Sequence, residues 1–225
     1  GEGFGVSDFP RAGADIHFNL VRNFDNQIFH EILRSEFFRR TIGHAGEAGD
    51  DFSEVFIILS NENIHILGGP DDVVENHGTH VIRLPTNSRG LISSRQLEEA
   101  ITSETTLVSV HWVNNETGMI QPVEEIPTIC REWGVMFHTD ASQAVGKLPV
   151  NVETLGCDFL SFSAHKFHGP QGVGGLYIRP GVRLPPLLFG GSQEFGRRPG
   201  TENLPGIAGA GVAAALRHAG IGDTI

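Results

Sequence analysis

TLVSVHWVNNETGMIQPVEEIPTICREWGVMFHTD, residues 106–140, reads as strand, turn, helix and strand in succession. TLVSVHWV (106–113) is an apolar run of strand length and reads as a buried strand. Asn114-Asn115-Glu116-Thr117-Gly118 supplies turn residues. Pro122 then opens a helix in which Val123, Ile126, Ile129, Cys130 and Trp133 recur at helical spacing, and Gly134 is placed to end it. VMFHTD (135–140) is the next strand.

The same alternation extends in both directions. VFIIL (55–59) and HVIRL (80–84) are strand-length apolar runs upstream. Ser93 and Gln96 form an S-x-x-Q capping box ahead of Leu97, Ala100 and Ile101, which predicts a short helix. Downstream, CDFLSFS (157–163) and GGLYIR (174–179) are strands, and Asn203 with Pro205 opens an Ala-rich helix reaching about Gly220. The pattern predicts an α/β fold, a mostly parallel sheet with helices on both faces. Ligands of such sheets bind beyond the carboxyl ends of the strands. Residues 1–54 read differently, as a divergent amino-terminal segment with scattered Gly, several Phe and one candidate helix over 27–42. The expected division is therefore 1–54 and a cofactor-binding domain at 55–225.

Bulk properties exclude some partners. A formal net charge of -11 argues against nucleic acid and against anionic membrane. No uncharged apolar run approaches the roughly 18–20 residues of a membrane helix. The two cysteines, Cys130 and Cys157, are too few for a disulfide scaffold and form no C-x-x-C metal pattern, so no metal is expected and a reducing, cytoplasmic setting is. Cys130 on an apolar helix face and Cys157 at the start of a buried strand read as structural. The chain begins with Gly rather than Met, which predicts a fragment of a longer chain.

Chemistry-bearing residues fall just after strands. They lie in Asn114–Gly118, in His138–Gln143, in Ser163-Ala164-His165-Lys166-Phe167-His168-Gly169-Pro170, and in Arg198–Asn203 before the last helix. A pyridoxal-phosphate site needs a lysine amine for the aldehyde, a carboxylate against the pyridine nitrogen, polar partners for the 3-hydroxyl and donors for the phosphate. Lys166, Asp140, Asn115 with Gln143, and Ser163 with His165 supply that set. Singly, each has a plainer reading: a solvated lysine, a helix-capping aspartate, a turn asparagine, packing or capping for Ser163 and His165, and a satisfied core histidine for His138. Their joint order at successive strand ends favours the site.

HTDASQAVGK, SFSAHKFHGPQGVGGLYIR and GGSQEFGRRPGTENLPGIAG closely resemble the cysteine desulfurases and selenocysteine lyases, class V aminotransferases among the fold-type I pyridoxal-phosphate enzymes. The likeness covers roughly residues 80–219. It implies that Lys166 forms the Schiff base with pyridoxal 5'-phosphate and that Asp140 faces the pyridine nitrogen. Gln143 and Asn115 would lie near the 3-hydroxyl, and Ser163 and His165 on the phosphate. Thr201 would reach the phosphate of the other subunit's cofactor, which implies a homodimer. The implied reaction takes L-cysteine or a related amino acid to alanine and sulfane sulfur, for a sulfur-acceptor protein in iron–sulfur cluster assembly. A selenocysteine lyase or another class V enzyme is a sibling reading, and a non-catalytic remnant that folds and dimerises is the reading from another class.

The departures from the family are specific. Its Gly-Ala-Thr-Glu-Ala-Asn-Asn-like phosphate loop has no counterpart, the nearest stretch being Ser60-Asn61-Glu62-Asn63. Its ring-stacking histidine corresponds to His65, one position out of register, although an exposed loop histidine is the equal alternative. Its amino-terminal arm is not recognisable in 1–54. The chain ends at Ile225, ahead of the small carboxyl-terminal domain that carries the family's nucleophilic cysteine loop and carboxylate-binding arginine. The resemblance therefore implies a truncated large domain, weak or inactive alone.

Overall fold

A computed structural model describes residues 55–60, 79–184, 186 and 188–220. The expectations placed on 1–54, on Asn61–Asn63 and on His65 lie outside these residues. Six strands form one sheet: β1 (Val55–Ser60), β2 (Thr79–Arg83), β3 (Thr105–His111), β4 (Met136–Asp140), β5 (Phe159–Ser163) and β6 (Gly174–Ile178). The spatial order is β2-β1-β3-β4-β5-β6. The first four pairings are parallel, and β6 alone runs antiparallel, against β5. The expected mostly parallel sheet is thus present.

The central strands carry apolar residues on both faces because both faces are covered. Leu107, Val108, Val110, Phe137 and Leu160 are each at most 1% exposed. Helix α1 (Ser94–Ala100) starts at Ser93, whose backbone N–H donates to Gln96 Oε1 at 3.2 Å, the reciprocal half of the expected capping box. Helix α2 (Ile126–Trp133) starts four residues later than the sequence pattern suggests, with Glu125 at its amino end and Pro127 in the first turn. It ends at Gly134, in the left-handed conformation at φ 70°. Trp133, expected on the buried stripe, is 50% exposed. It is the final helical residue, where the chain turns back into β4 and the face is no longer covered. A one-turn helix, α3 (Val152–Leu155), was not read from the sequence. Its signal is Asn151, whose Oδ1 accepts from the Glu153 and Thr154 N–H groups at 2.9 and 3.2 Å. Helix α4 (Leu204–Gly220) opens with Asn203 Oδ1 accepting from the Gly206 N–H at 3.2 Å.

One close approach fixes the loops at the sheet's carboxyl edge. Gly146 has φ +75°, and a Cβ built on it would lie 2.6 Å from Phe167 Cβ. Its carbonyl accepts from Arg217 Nε on α4 at 2.9 Å. The turn after β4, the turn after β5 and the last helix therefore meet at one residue that cannot bear a side chain. Gly146→Ala should lower stability by about 2–3 kcal/mol, from overpacking added to backbone strain. Gly134→Ala, equally left-handed but with open space around it, should lose only about 1 kcal/mol. Chemical denaturation of both variants checks this; equal losses would show that the Phe167 contact contributes nothing.

Candidate functional site

Parallel register brings three strand ends to one edge. His111 pairs with Asp140, and Asp140 pairs with Ser161, two residues before the end of β5. The backbone continues the alignment beyond the strands: Trp112 N–H donates to the Asp140 carbonyl at 2.9 Å, and Ala141 N–H to the Ser161 carbonyl at 2.8 Å. Loops carrying Asn115, Gln143 and Lys166 all leave from this edge.

Asp140 is half-buried. Its Oδ1 accepts from the Ser142 N–H at 2.8 Å, so the capping role is real. Among the described residues its other oxygen accepts no hydrogen bond, leaving an acceptor-only site. Gln143, in the helical turn that follows, accepts from Lys147 Nζ on Oε1 at 2.7 Å. Ser163 is buried, and its Oγ lies 2.8 Å from Nδ1 of exposed His165. Lys166 stands exposed in a 3-10 turn, Ala164–Phe167, anchored on either side by buried Ala164 and Phe167. Residue His168 closes that turn at φ 71°, its N–H donating to the Ala164 carbonyl.

Two predicted residues are less engaged. In the 114–118 loop it is Asn114 that serves the turn, its Oδ1 accepting from the Glu116 and Thr117 N–H groups at 2.9 and 2.8 Å. Asn115 is exposed beside it, its side chain unused by the turn. Thr201 is exposed in the segment before α4 and has no hydrogen bond to Ser163, His165 or Lys166 among the described residues. The described edge therefore gathers Asp140, Gln143, Ser163, His165 and Lys166, with Asn115 on the adjoining loop and Thr201 not bonded to the set.

Beneath Asp140 lies a buried polar bridge. His138, 1% exposed, has Nδ1 2.8 Å from Ser109 Oγ on β3 and Nε2 3.1 Å from Ser161 Oγ on β5. Burial drives its pKa from 6.5 down to about 4, against the Asp140 charge, which raises it, and with His111, which lowers it further. His138 is thus a neutral ring linking three central strands. Burial likewise lowers the pKa of His111, partly offset by Asp140. Sequence reading recognised His138 as a core histidine but not its partners. The available signal was Ser109 and Ser161 interrupting otherwise apolar strands. It also passed over Lys147, four residues after Gln143 and so one helical turn away.

The donor set suits pyridoxal phosphate. A carboxylate oxygen with no partner among the described residues can hold a protonated ring nitrogen, a primary amine stands on a turn, and a hydroxyl–imidazole pair can meet phosphate oxygens. Cys130 and Cys157 contribute nothing to this edge. Both are buried, and burial pushes each thiol up to about 12. No helix among the described residues is long and apolar enough to cross a membrane.

The model of the family described as aminotransferase class-V matches residues 55–222. Cysteine desulfurase IscS of Dictyoglomus turgidum is 46% identical over 160 residues, 71% of this chain and 41% of that protein. The mitochondrial cysteine desulfurase of Drosophila melanogaster is 54% identical over 145 residues, 64% of this chain and 31% of that protein. The chain thus spans well under half the length of these curated relatives. Among solved structures, SspA in complex with cysteine aligns with a TM-score of 0.75 and 34% identity, over 88% of this chain and 55% of that one. DndA from Streptomyces lividans aligns with a TM-score of 0.74 and 30% identity, over 91% of this chain and 57% of that one.

Two measurements test the electrostatics. At pH 8 a thiol with a pKa of about 12 is ionised in roughly one molecule in ten thousand. Iodoacetamide should therefore leave Cys130 and Cys157 unmodified in the native protein and label both after denaturation; native labelling would refute the assignment. For His138, the unfolded chain takes up a proton near pH 6.5 that the folded chain refuses until about pH 4. Stability should be full above 6.5 and fall through that window, by at most about 3 kcal/mol. Urea denaturation across this range should show that component missing in His138→Gln.

Proposed function

This chain belongs to the aminotransferase class-V family, and on that premise we propose that it is the cofactor-binding domain, residues 55–225, of a pyridoxal-phosphate-dependent cysteine desulfurase. The observation that carries the reading is one edge of the sheet presenting both a turn-mounted Lys166 and an Asp140 carboxylate, one oxygen of which has no hydrogen-bond partner among the described residues. The reaction would take L-cysteine to alanine and sulfane sulfur. Bound there, pyridoxal 5'-phosphate supplies the electron sink for that chemistry.

The residues of the chain divide the remaining work. Lys166 holds the cofactor through its amine. Asp140 keeps a proton on the pyridine nitrogen. Gln143 and Asn115 address the ring oxygen, while Ser163 and His165 donate to the phosphate. The resemblance gives His65, which lies outside the described residues, the role of the ring-stacking histidine. Thr201, exposed before α4, serves the cofactor of a second copy in a homodimer. A cytoplasmic sulfur-acceptor protein, in iron–sulfur cluster assembly, receives the product. The likeness to a protein solved with cysteine supports the substrate.

The state of the two cysteines favours a second, narrower reading for the chain on its own. With both thiols buried and neutral, neither Cys130 nor Cys157 can take sulfur from a substrate. In this reading the chain folds and binds cofactor but does not turn over.

Titration of the protein with pyridoxal phosphate should produce a visible absorbance band. Borohydride reduction followed by peptide mapping should place the adduct on Lys166, and Lys166→Ala should abolish both signals. A protein without the band would sink the cofactor assignment. Asp140→Ala should retain attachment and lose reactivity toward cysteine by roughly 100-fold or more. Undiminished reactivity would give Asp140 another role.

A further inference from the structure

Gln143 has an amide with two unlike ends. The oxygen accepts and the nitrogen donates, and which end faces the site decides what it can bind. The ammonium of Lys147 can only donate. It lies 2.7 Å from Gln143 Oε1, so the acceptor end is taken and the N–H donors are the end left over.

Several features hold Lys147 to this task. Val145 N–H donates to the Ala141 carbonyl and Leu148 N–H to the Ala144 carbonyl, both at 2.9 Å, so residues 141–148 form two consecutive bonded turns with Gly146 left-handed between them. These turns bring the side chains of 143 and 147 within hydrogen-bond distance. The turn is clamped by Gly146 against Phe167 and by Arg217 on the Gly146 carbonyl. Among the described residues the charges that act on Lys147 are those of Lys166 and Arg217, both cations. Burial, then those two charges, lower its pKa. A neutral oxygen is the partner such a crowded ammonium can find.

We propose that Lys147 is a positioning residue that holds the Gln143 amide with its N–H donors, rather than its carbonyl, toward the cofactor's ring oxygen. Donors facing that atom favour its ionised form, and a carbonyl there would repel it. The inference rests on the cofactor reading above and assigns a role to a residue outside that set.

The test measures the affinity for pyridoxal phosphate from the Lys166-dependent absorbance band in the parent, Lys147→Met, Lys147→Arg, Gln143→Ala and the Lys147→Met/Gln143→Ala double variant. Lys147→Met should raise Kd roughly 3- to 10-fold, the scale of one hydrogen bond. Lys147→Arg, still a donor-only cation, should restore most of the loss. In the Gln143→Ala background Lys147→Met should cost nothing further, because its partner is gone. An unchanged Kd in Lys147→Met would overturn the proposal. So would a full additional loss in the double variant, which would mean that Lys147 acts on the ligand directly. Either result leaves the cofactor reading intact. Absence of the band in the parent overturns both.

Discussion

Parallel hydrogen bonding of β3, β4 and β5 is the constraint on which the site depends. Parallel strands can only be joined by crossovers that return the chain to the starting edge, so successive strands must end on the same side. His111, Asp140 and Ser161 share one row of that sheet. A shift of β4 by one residue would turn Asp140 to the opposite face and put buried Thr139 in its place at the edge. The row is tied by more than backbone. His138 spans from Ser109 to Ser161, so a slip of any of the three strands would break a buried bond. A neutral imidazole suits that place, since it can donate from one nitrogen and accept at the other without carrying charge into the core.

Rigidity at the edge comes from contacts too close for a side chain. Lys166 is exposed, yet the residues flanking its turn are not: Ala164 is fully buried and Phe167 nearly so. Phe167 packs on Gly146 and is 6.0 Å, centroid to centroid, from Phe162 on β5. The flexible lysine stem therefore rises from a fixed base. The same contact carries the turn of Gln143 and Lys147, so the two loops cannot move independently. Arg217 extends the coupling to α4, whose far end begins beside Thr201.

The fold was legible because its signals were local. Apolar runs at strand length and the Ser93–Gln96, Asn203 and Gly134 boundary residues each specify an element without reference to the rest. Errors arose where tertiary packing decides. Helix α2 begins at Ile126 rather than Pro122, because Pro122–Glu125 forms a separate turn before regular bonding starts. Trp133 obeys the helical spacing and still faces solvent, since spacing tells which residues align but not where the covering layer stops. At the candidate site, the placement of Lys166, Asp140, Ser163 and His165 at or just after strand ends was legible from their order in the sequence. Asn114 and Asn115 were not separable as turn-former and free side chain, because both suit a turn by type. The His138 bridge joins residues on three different strands, and no periodicity within one strand can reveal it. The Gln143–Lys147 bond was within reach of i,i+4 spacing, but many such pairs occur and only the cations around Lys147 make this one matter.

Net charge and local charge point in opposite directions here, and the difference decides what the chain can bind. A total of -11 opposes an extended polyanion, whose every phosphate would meet the mean field of the surface. A single small anion samples only its surroundings, because charges beyond a Debye length of about 8–10 Å are largely screened. At the carboxyl edge those surroundings include Lys166 and Lys147, close enough that one lowers the pKa of the other, with Arg217 beside them. Like charges gathered so closely are unfavourable in the empty protein and are relieved when an anion arrives. An acidic protein can therefore keep a corner in which cations gather. An anion such as the proposed cofactor's phosphate would be selected by the few cations and donors that the sheet edge assembles.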